Sequence, residues 1–183
     1  MAAPYFCILP SDWPERLYSS IQVKLYGLLI LLICGCLVAG CVYGCDKGWI
    51  ASPMDSCFKF VVSKMATWSQ AQGLCRDMGG YLATLESIDE LTWMRGFRGY
   101  HAQLRPDFAW IGGYLKNGVW TWKGEISDSP ILYTDWGEKE PNNDDGNEGC
   151  LDLYGGNSID GVTSKWNDES CKRKRFFICE KDK

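Results

Sequence analysis

The sequence is poor in histidine and lacks an excess of positive charge. His101 is the single histidine among 183 residues, which excludes chemistry that requires two imidazoles. Lysine and arginine together number 19 against 23 aspartates and glutamates, which gives a net charge of −4. An acidic chain lacks the basic face typical of nucleic-acid-binding domains, so no nucleic-acid partner is expected. The length allows one domain of roughly 100–200 residues with short appendages.

Charged side chains are absent from residues 25–44, LYGLLILLICGCLVAGCVYG. A helix of this length covers the roughly 30 Å hydrocarbon core of a bilayer. We therefore predict a transmembrane span at 25–44, a short cytoplasmic tail at 1–24 and an outer region at 45–183. Arg16 and Lys24 favour a cytoplasmic N-terminus, which predicts a single-pass type II protein of the plasma membrane with an extracellular C-terminal region. Gly40 and Gly44 have the GxxxG spacing of paired helices, which leaves a homo-oligomer open.

A cleaved signal peptide is the alternative for the same segment, and it would give a secreted protein. Typical signals have a shorter apolar core, of about 7–15 residues, and a shorter polar lead than this chain has. Either interpretation delivers the region from Cys45 onward to an oxidising compartment.

Cysteine is abundant, with ten residues in the chain. Four belong to the tail and the apolar segment, and six lie beyond it: Cys45, Cys57, Cys75, Cys150, Cys171 and Cys179. An even number of cysteines in an oxidising compartment predicts a disulfide framework, but six of them allow about 15 pairings. A zinc site is disfavoured because close CxxC pairs and a second histidine are lacking.

The region from Cys45 onward is predicted to be α+β. Two capping boxes, Thr67 to Gln70 and Ser87 to Glu90, each predict the start of a helix. The first helix should end near Met78, before two glycines. Beyond these helices, short aromatic-rich runs alternate with Gly, Pro, Asn and Asp, which is typical of short strands that carry long loops. Helices followed by strands indicate an α+β domain.

An acidic segment at 135–148, DWGEKEPNNDDGNE, has six carboxylates and one lysine, a local net charge of −5. Charges this close repel one another, so either solvent or a bound cation must compensate them. Carboxylates and Asn amides without histidine are the oxygen ligands that Ca²⁺ prefers. The spacing is not that of an EF-hand. A second oxygen cluster, Trp166-Asn167-Asp168-Glu169, precedes Cys171, and a solvated acidic loop is the alternative.

Taken in order, these motifs resemble those of a C-type lectin domain, and the resemblance covers residues 45–183. The matching features are the six outer cysteines, Gly48-Trp49, Trp110-Ile111-Gly112-Gly113, Glu140-Pro141-Asn142, Gly149-Cys150-Leu151, Trp166-Asn167-Asp168 and Phe177-Ile178-Cys179-Glu180. The resemblance implies a C-type lectin-like fold, with two helices flanking two small antiparallel sheets and a long calcium-binding loop region. It also implies three disulfides, Cys45–Cys57, Cys75–Cys179 and Cys150–Cys171.

The resemblance also implies a ligand set. In similar sugar-binding members one Ca²⁺ is held by the positions that are here Glu140, Asn142, Glu148, Asn167 and Asp168. The first four would also bind the sugar, since each Glu–Asn pair offers an acceptor and a donor to one sugar hydroxyl. The Glu-Pro-Asn order implies mannose, fucose or N-acetylglucosamine rather than galactose, and we expect Pro141 to be cis.

The implied function is calcium-dependent binding of mannose-type glycans, on glycoproteins or microbial surfaces, by a recognition lectin of the kind that acts in innate immunity. The alternative is a lectin-like receptor that binds protein without calcium, although such domains typically lack the five ligands. An enzyme is not expected, because a metal-held carboxylate is a poor general acid and His101 stands alone in a stretch expected to be exposed.

Departures from the family pattern bear on a second ion. Gly149 and Asn143 stand where family members often have acidic residues that hold an auxiliary Ca²⁺. We therefore expect one strong calcium site, with Asp144 and Asp145 as candidates for another. The basic run at 172–175 is expected to be a solvated turn rather than a patch for acidic ligands.

Overall fold

The computed structural model describes residues 44–104, 106–155 and 164–183. The predicted tail and the predicted span up to residue 43 lie outside these ranges, so both stay predictions. Within the described ranges, none of the helices is both long and apolar enough to cross a bilayer. Residues Cys45–Lys183 form one compact unit.

Two α-helices follow the predicted capping boxes. Helix α1 spans Trp68–Asp77 and helix α2 spans Ile88–Tyr100, and both reciprocal hydrogen bonds of each capping box are present. Helix α2 buries Leu91 and Met94, whereas Ile88 at its start is 61% exposed. His101 follows this helix and is half-buried against the Phe97 ring at 4.3 Å, so the expectation of an exposed histidine was wrong.

The described part of the chain contains nine strands. They are β1 Ile50–Ala51, β2 Ser56–Ala66, β3 Tyr81–Leu82, β4 Phe108–Lys116, β5 Val119–Trp122, β6 Ser129–Pro130, β7 Cys150–Tyr154, β8 Lys165–Glu169 and β9 Arg175–Asp182. Strands β1, β2, β9 and β3 form one antiparallel ladder, and β8, β7, β4, β5 and β6 form another. A short parallel pairing of β4 with β9 joins the two ladders into one mixed sheet.

Tryptophan side chains dominate the core. Trp110, Trp122 and Trp166 are almost completely removed from solvent. The Trp110 indole donates a hydrogen bond of 2.9 Å to the Ala66 carbonyl, so its polar atom is satisfied inside the core. Trp166 is the second residue of β8, and its burial fixes the strand that carries the Trp-Asn-Asp motif.

The three disulfides implied by the resemblance are all present, as Cys45–Cys57, Cys75–Cys179 and Cys150–Cys171. The second links helix α1 to strand β9 across a sequence separation of 104 residues. Closing a loop of that length stabilises the fold by about 4–5 kcal/mol on the chain-entropy model. The third ties the start of β7 to the residues just after β8, so it closes the hairpin beside the acidic segment.

Glu180 is a buried carboxylate of β9. It accepts hydrogen bonds from Ser56 Oγ at 2.7 Å, Thr84 N at 2.8 Å and Thr84 Oγ1 at 3.1 Å. Burial raises its pKa to about 7, although these hydrogen bonds oppose the rise. The native state therefore holds the proton more tightly than the unfolded chain does. This contribution to stability is complete below the unfolded pKa and is lost as the pH rises through 7.

We predict that Glu180→Gln flattens the pH dependence of stability between pH 5 and pH 8, because glutamine does not titrate. The wild-type free energy of unfolding should fall by about 2 kcal/mol more than that of the variant over this range. Urea unfolding at the two pH values measures the difference. Glu125→Gln, at an exposed position, is the control and should keep the wild-type slope. Equal slopes for wild type and Glu180→Gln would contradict the prediction.

Candidate calcium and sugar site

The acidic segment begins beside strand β8. Trp136 and Trp166 form a parallel bridge. Trp166 N donates to the Asp135 carbonyl at 2.9 Å, and Gly137 N donates to the Trp166 carbonyl at 2.8 Å. The Trp136 ring also contacts those of Trp120, at 5.0 Å, and Trp166, at 5.8 Å. These contacts place the start of the loop directly against Trp166, the first residue of the Trp-Asn-Asp motif.

Asp168 holds the middle of the loop. Its Oδ1 accepts from Asn142 N at 2.9 Å, and its Oδ2 accepts from Asn143 N at 2.9 Å. The Asn142 amide in turn donates to Glu140 Oε1 at 3.1 Å. The Glu140–Pro141 peptide bond is cis, as the sequence led us to expect. Three of the predicted ligands are therefore joined by hydrogen bonds around one buried carboxylate.

Glu148 joins this group through a tight turn. The N–H of Asp144 donates both to Asn142 Oδ1 at 2.8 Å and to Glu148 Oε2 at 2.7 Å. Glu148 N donates to Asn143 Oδ1 at 3.1 Å. Asn143 and Asp145 have positive φ angles of 48° and 55°, which Asn and Asp tolerate better than most side chains do. The Asn- and Asp-rich sequence thus suits a turn that folds Glu148 back toward Asn142.

The carboxylates of this group lack compensation. Glu140 Oε2 is buried and has no hydrogen-bond partner among the described residues. Burial and the neighbouring Asp168 carboxylate raise the pKa of Glu140. Burial also raises the pKa of Glu148, with Asp168 among the charges that add to it, while the Asp144 N–H opposes the rise. Negative oxygens gathered this way fit a cation.

Asn167 is placed differently from the other four predicted ligands. It lies directly across the β7–β8 ladder from Asp152, and no hydrogen bond within the described residues joins it to Glu140, Asn142 or Glu148. Asp152 is fully buried, and burial raises its pKa to about 7, against the effect of Arg175 and the Asn167 amide. Asn167 therefore lies opposite Asp152 in the hairpin, outside the hydrogen bonds that bring Glu140, Asn142 and Glu148 together.

The chemistry of the donor set is compatible with Ca²⁺. Among the described residues, no three carboxylate, imidazole or thiolate groups converge into a metal centre by themselves. Calcium, however, accepts amide and carbonyl oxygens as well as carboxylates, in a flexible geometry of about 6–8 ligands. Glu140, Glu148 and Asp168 with the amides of Asn142 and Asn167 supply only such oxygens, and the unpartnered Glu140 oxygen lies among them.

The candidates for a second ion line a neighbouring cleft of about 380 Å³. Asp144 and Asp145 share its lining with Lys172 and Arg173. These cations disfavour another divalent ion close to the first. The expectation of a second site therefore gains no support from this geometry.

Sequence reasoning missed the ion pairs beneath the site. Arg175, expected in a solvated turn, has only 19% of its side chain exposed and pairs with Asp152 at 3.1 Å and Glu169 at 2.5 Å. That expectation was wrong for Arg175, because the residue is the first of strand β9. Asp135, counted among the loop charges, is also buried and ion-paired. Its position next to Trp136, at the apolar end of the acidic segment, is the signal that could have separated it from the others.

Comparisons with known proteins agree with the fold. The family model described as the lectin C-type domain matches residues 64–181, more than half of the chain. Perlucin of Haliotis laevigata is 33% identical over 145 residues, which cover 76% of this chain and 84% of perlucin. E-selectin of Bos taurus is 29% identical over 119 residues, 65% of this chain but only 23% of E-selectin. The matched region covers only 18–25% of the length of the E-selectins that are similar to this chain.

Solved structures give the same result. The SPL-1 complex with GlcNAc is 30% identical with a TM-score of 0.61, covering 75% of this chain and 95% of SPL-1. A calcium-independent type II antifreeze protein is 26% identical with a TM-score of 0.58, covering 75% of this chain and 94% of that protein. The chain belongs to the C-type lectin domain family.

The ion pairs beneath the site generate a stability prediction. Asp152→Asn should lower the free energy of unfolding by about 2 kcal/mol, because the mostly buried Arg175 loses one charged hydrogen-bond acceptor and keeps the other, Glu169. Arg173→Gln is the matched control, since Arg173 pairs with Glu169 at 3.2 Å while 65% of its side chain is exposed. Breaking that exposed pair should cost less than about 1 kcal/mol. Urea unfolding measures both, and equal losses would contradict the distinction.

Proposed function

We propose that the protein binds mannose-type glycans, the mannose, fucose and N-acetylglucosamine class, in a calcium-dependent manner. The observation that carries the proposal is the hydrogen-bonded grouping of Glu140, Asn142 and Glu148 around Asp168, with Glu140 Oε2 buried and unpartnered. Such an oxygen is costly unless a ligand satisfies it. Membership in the lectin family supports carbohydrate as the ligand class.

Each residue of the proposed calcium site would have its own role. Asp168 orients the loop by accepting two backbone N–H groups, and Glu140, Glu148, Asn142 and Asn167 offer side-chain oxygens to the ion. Calcium, when bound, supplies open coordination positions for two vicinal sugar hydroxyls. A hydroxyl bound there can donate one hydrogen bond and accept another. Glu140 would accept the hydrogen bond from the hydroxyl, and the Asn142 amide would donate one to its lone pair. Glu148 and Asn167 would do the same for the neighbouring hydroxyl.

The order of acceptor and donor would set the sugar class. With Glu140 before Asn142, acceptor and donor lie on fixed sides of the bound hydroxyls. Exchanging them reverses the hydrogen-bond pattern, which in this family goes with galactose. The GlcNAc in the SPL-1 complex is a sugar of the proposed class, bound by a protein 30% identical to this one.

A calcium-independent, protein-binding receptor is the second candidate. The observation in its favour is the similarity to an antifreeze protein described as calcium-independent, since the fold alone does not require the ion. The uncompensated Glu140 oxygen favours the calcium-dependent function, because a site that never held a cation would gain by replacing that carboxylate.

We further propose that the domain acts outside the cell, either on a type II membrane protein anchored by residues 25–44 or as a secreted lectin after signal cleavage. Three disulfides support an oxidising compartment for residues 45–183. Glycans on glycoproteins or microbial surfaces are then accessible to it, and it needs no enzymatic activity for this role.

The first prediction of this function is reversible retention on mannose. The full-length chain should bind a mannose column in Ca²⁺ and elute with EDTA, because removal of the ion removes the coordination of the sugar hydroxyls. The matched control is a column without sugar. Equal retention with and without EDTA would contradict the calcium mechanism, and binding to neither column would favour the protein-binding receptor.

The second prediction concerns sugar class. Glu140→Gln combined with Asn142→Asp should shift the ratio of mannose to galactose affinity by at least tenfold toward galactose, about 1.4 kcal/mol. Competition by the two free sugars measures the ratio. Glu138→Gln with Asn147→Asp makes the same chemical exchange in the same loop, outside the proposed ligands, and should leave the ratio unchanged. A double variant at 140 and 142 that still prefers mannose would contradict the donor–acceptor account.

A further inference from the structure

Asp135 differs from the other carboxylates of the acidic segment. Only 6% of its side chain is exposed, and it has two cationic partners. Arg95 Nε donates to Oδ2 at 2.8 Å, and the Arg95 guanidinium also forms an ion pair with the same oxygen through Nη2. Lys165 Nζ donates to Oδ1 at 2.6 Å. Both oxygens of Asp135 are therefore paired with cationic side chains, so its negative charge is compensated without a metal ion.

The partners come from two different elements. Arg95 lies in the middle of helix α2, and Lys165 is the first residue of strand β8. Asp135 thus connects the helix to the strand at the point where the acidic segment begins. Two contacts from the Arg95 guanidinium to Oδ2, together with Lys165 on Oδ1, fix the carboxylate in orientation as well as position.

The backbone of Asp135 continues the same connection. Its carbonyl accepts from Trp166 N at 2.9 Å, and Gly137 N donates to the Trp166 carbonyl at 2.8 Å. Trp166 is followed at once by Asn167 and Asp168. The side chain and the backbone of Asp135 therefore act together to set the loop in register against the strand that bears two of the proposed ligands.

We propose that Asp135 is a positioning residue for the calcium site, an inference that rests on the proposed function. It acts through the Trp136–Trp166 bridge: with the start of the loop fixed, the N–H groups of Asn142 and Asn143 meet the Asp168 carboxylate. Because Arg95 and Lys165 neutralise Asp135, this carboxylate does not repel the other carboxylates of the loop. Calcium then binds a loop that is already ordered, so less of its binding free energy is used to order the chain.

The test is Asp135→Asn in the full-length protein, which removes the charge and keeps the shape. The Kd for Ca²⁺, measured by calorimetry with the metal alone, should rise 10- to 100-fold, as for other groups that orient metal ligands. Affinity for mannose at saturating Ca²⁺ should change less than twofold, because no contact with sugar is altered. A merely structural role would lower both together.

The structure offers a matched control. Asp128 has the same kind of clamp, with Lys116 at 2.7 Å, Lys123 at 2.8 Å and the Tyr114 hydroxyl at 2.6 Å, but it lies at the β4–β6 end of the sheet. Asp128→Asn should leave the Kd for Ca²⁺ unchanged. Arg95→Gln should raise it, and Arg95→Gln with Asp135→Asn should raise it no further than Asp135→Asn alone. Arg95→Gln also preserves the test if Asp135→Asn does not fold.

A readout that needs no calcium separates this inference from the proposed function. Hydrogen exchange of the peptide covering residues 137–149, in EDTA, should be at least tenfold faster in Asp135→Asn and Arg95→Gln than in wild type, and unchanged in Asp128→Asn. If the wild type binds no Ca²⁺, the proposed function is wrong while hydrogen exchange still decides the role of Asp135. Unchanged exchange in both variants, or an equal effect of Asp128→Asn, would overturn the inference.

Discussion

Asp168 accepts hydrogen bonds from two successive backbone N–H groups, those of Asn142 and Asn143, and the candidate site depends on this contact. Hydrogen bonds to a charged group contribute about 1.5–3 kcal/mol each. They hold an irregular, strongly acidic loop against strand β8, and they bring Glu140 and Glu148 toward the same carboxylate. The stabilisation comes from backbone donors, so it leaves the side-chain oxygens of Glu140 and Glu148 unneutralised.

Buried and partly buried carboxylates in this domain differ in the partners that they have. Asp135 is matched by Arg95 and Lys165, and Asp152 is matched by Arg175. Glu140 and Glu148 have no cationic partner within the described ranges, and the pKa of each is raised. Glu180 and Asp168 also lack a cationic partner within the described residues, but both oxygens of each accept hydrogen bonds from neutral donors. Glu140 Oε2 is buried without any hydrogen-bond partner there, which suits a bound cation. This contrast argues for the ion more strongly than the net charge of the segment does.

Local features were predictable from the sequence, and contacts between distant elements were not. The capping boxes at Thr67 and Ser87 predicted where the two helices begin, because the donors and acceptors of a capping box lie within four residues of each other. The parallel pairing of β4 with β9 involves two residue pairs, too short a contact to leave a pattern in the chain. Composition gave the charge of the acidic segment but not the direction of each side chain. The sequence analysis therefore counted Asp135 among the charges of the acidic segment, although its side chain contacts helix α2.

The disulfide framework and the ion pairs together explain how such a loop can belong to a stable domain. Cys150–Cys171 closes the β7–β8 hairpin, and its two cysteines lie two to four residues from Glu148, Asn167 and Asp168. At the other end, Asp135 and the Trp136–Trp166 bridge fix the start of the loop. The carboxylates that repel one another therefore lie between two fixed points, the disulfide and Asp135. The loop can open locally without unfolding the sheet. Local opening of this kind has a low cost in global stability, and the two fixed ends keep the loop close to its binding conformation before an ion binds.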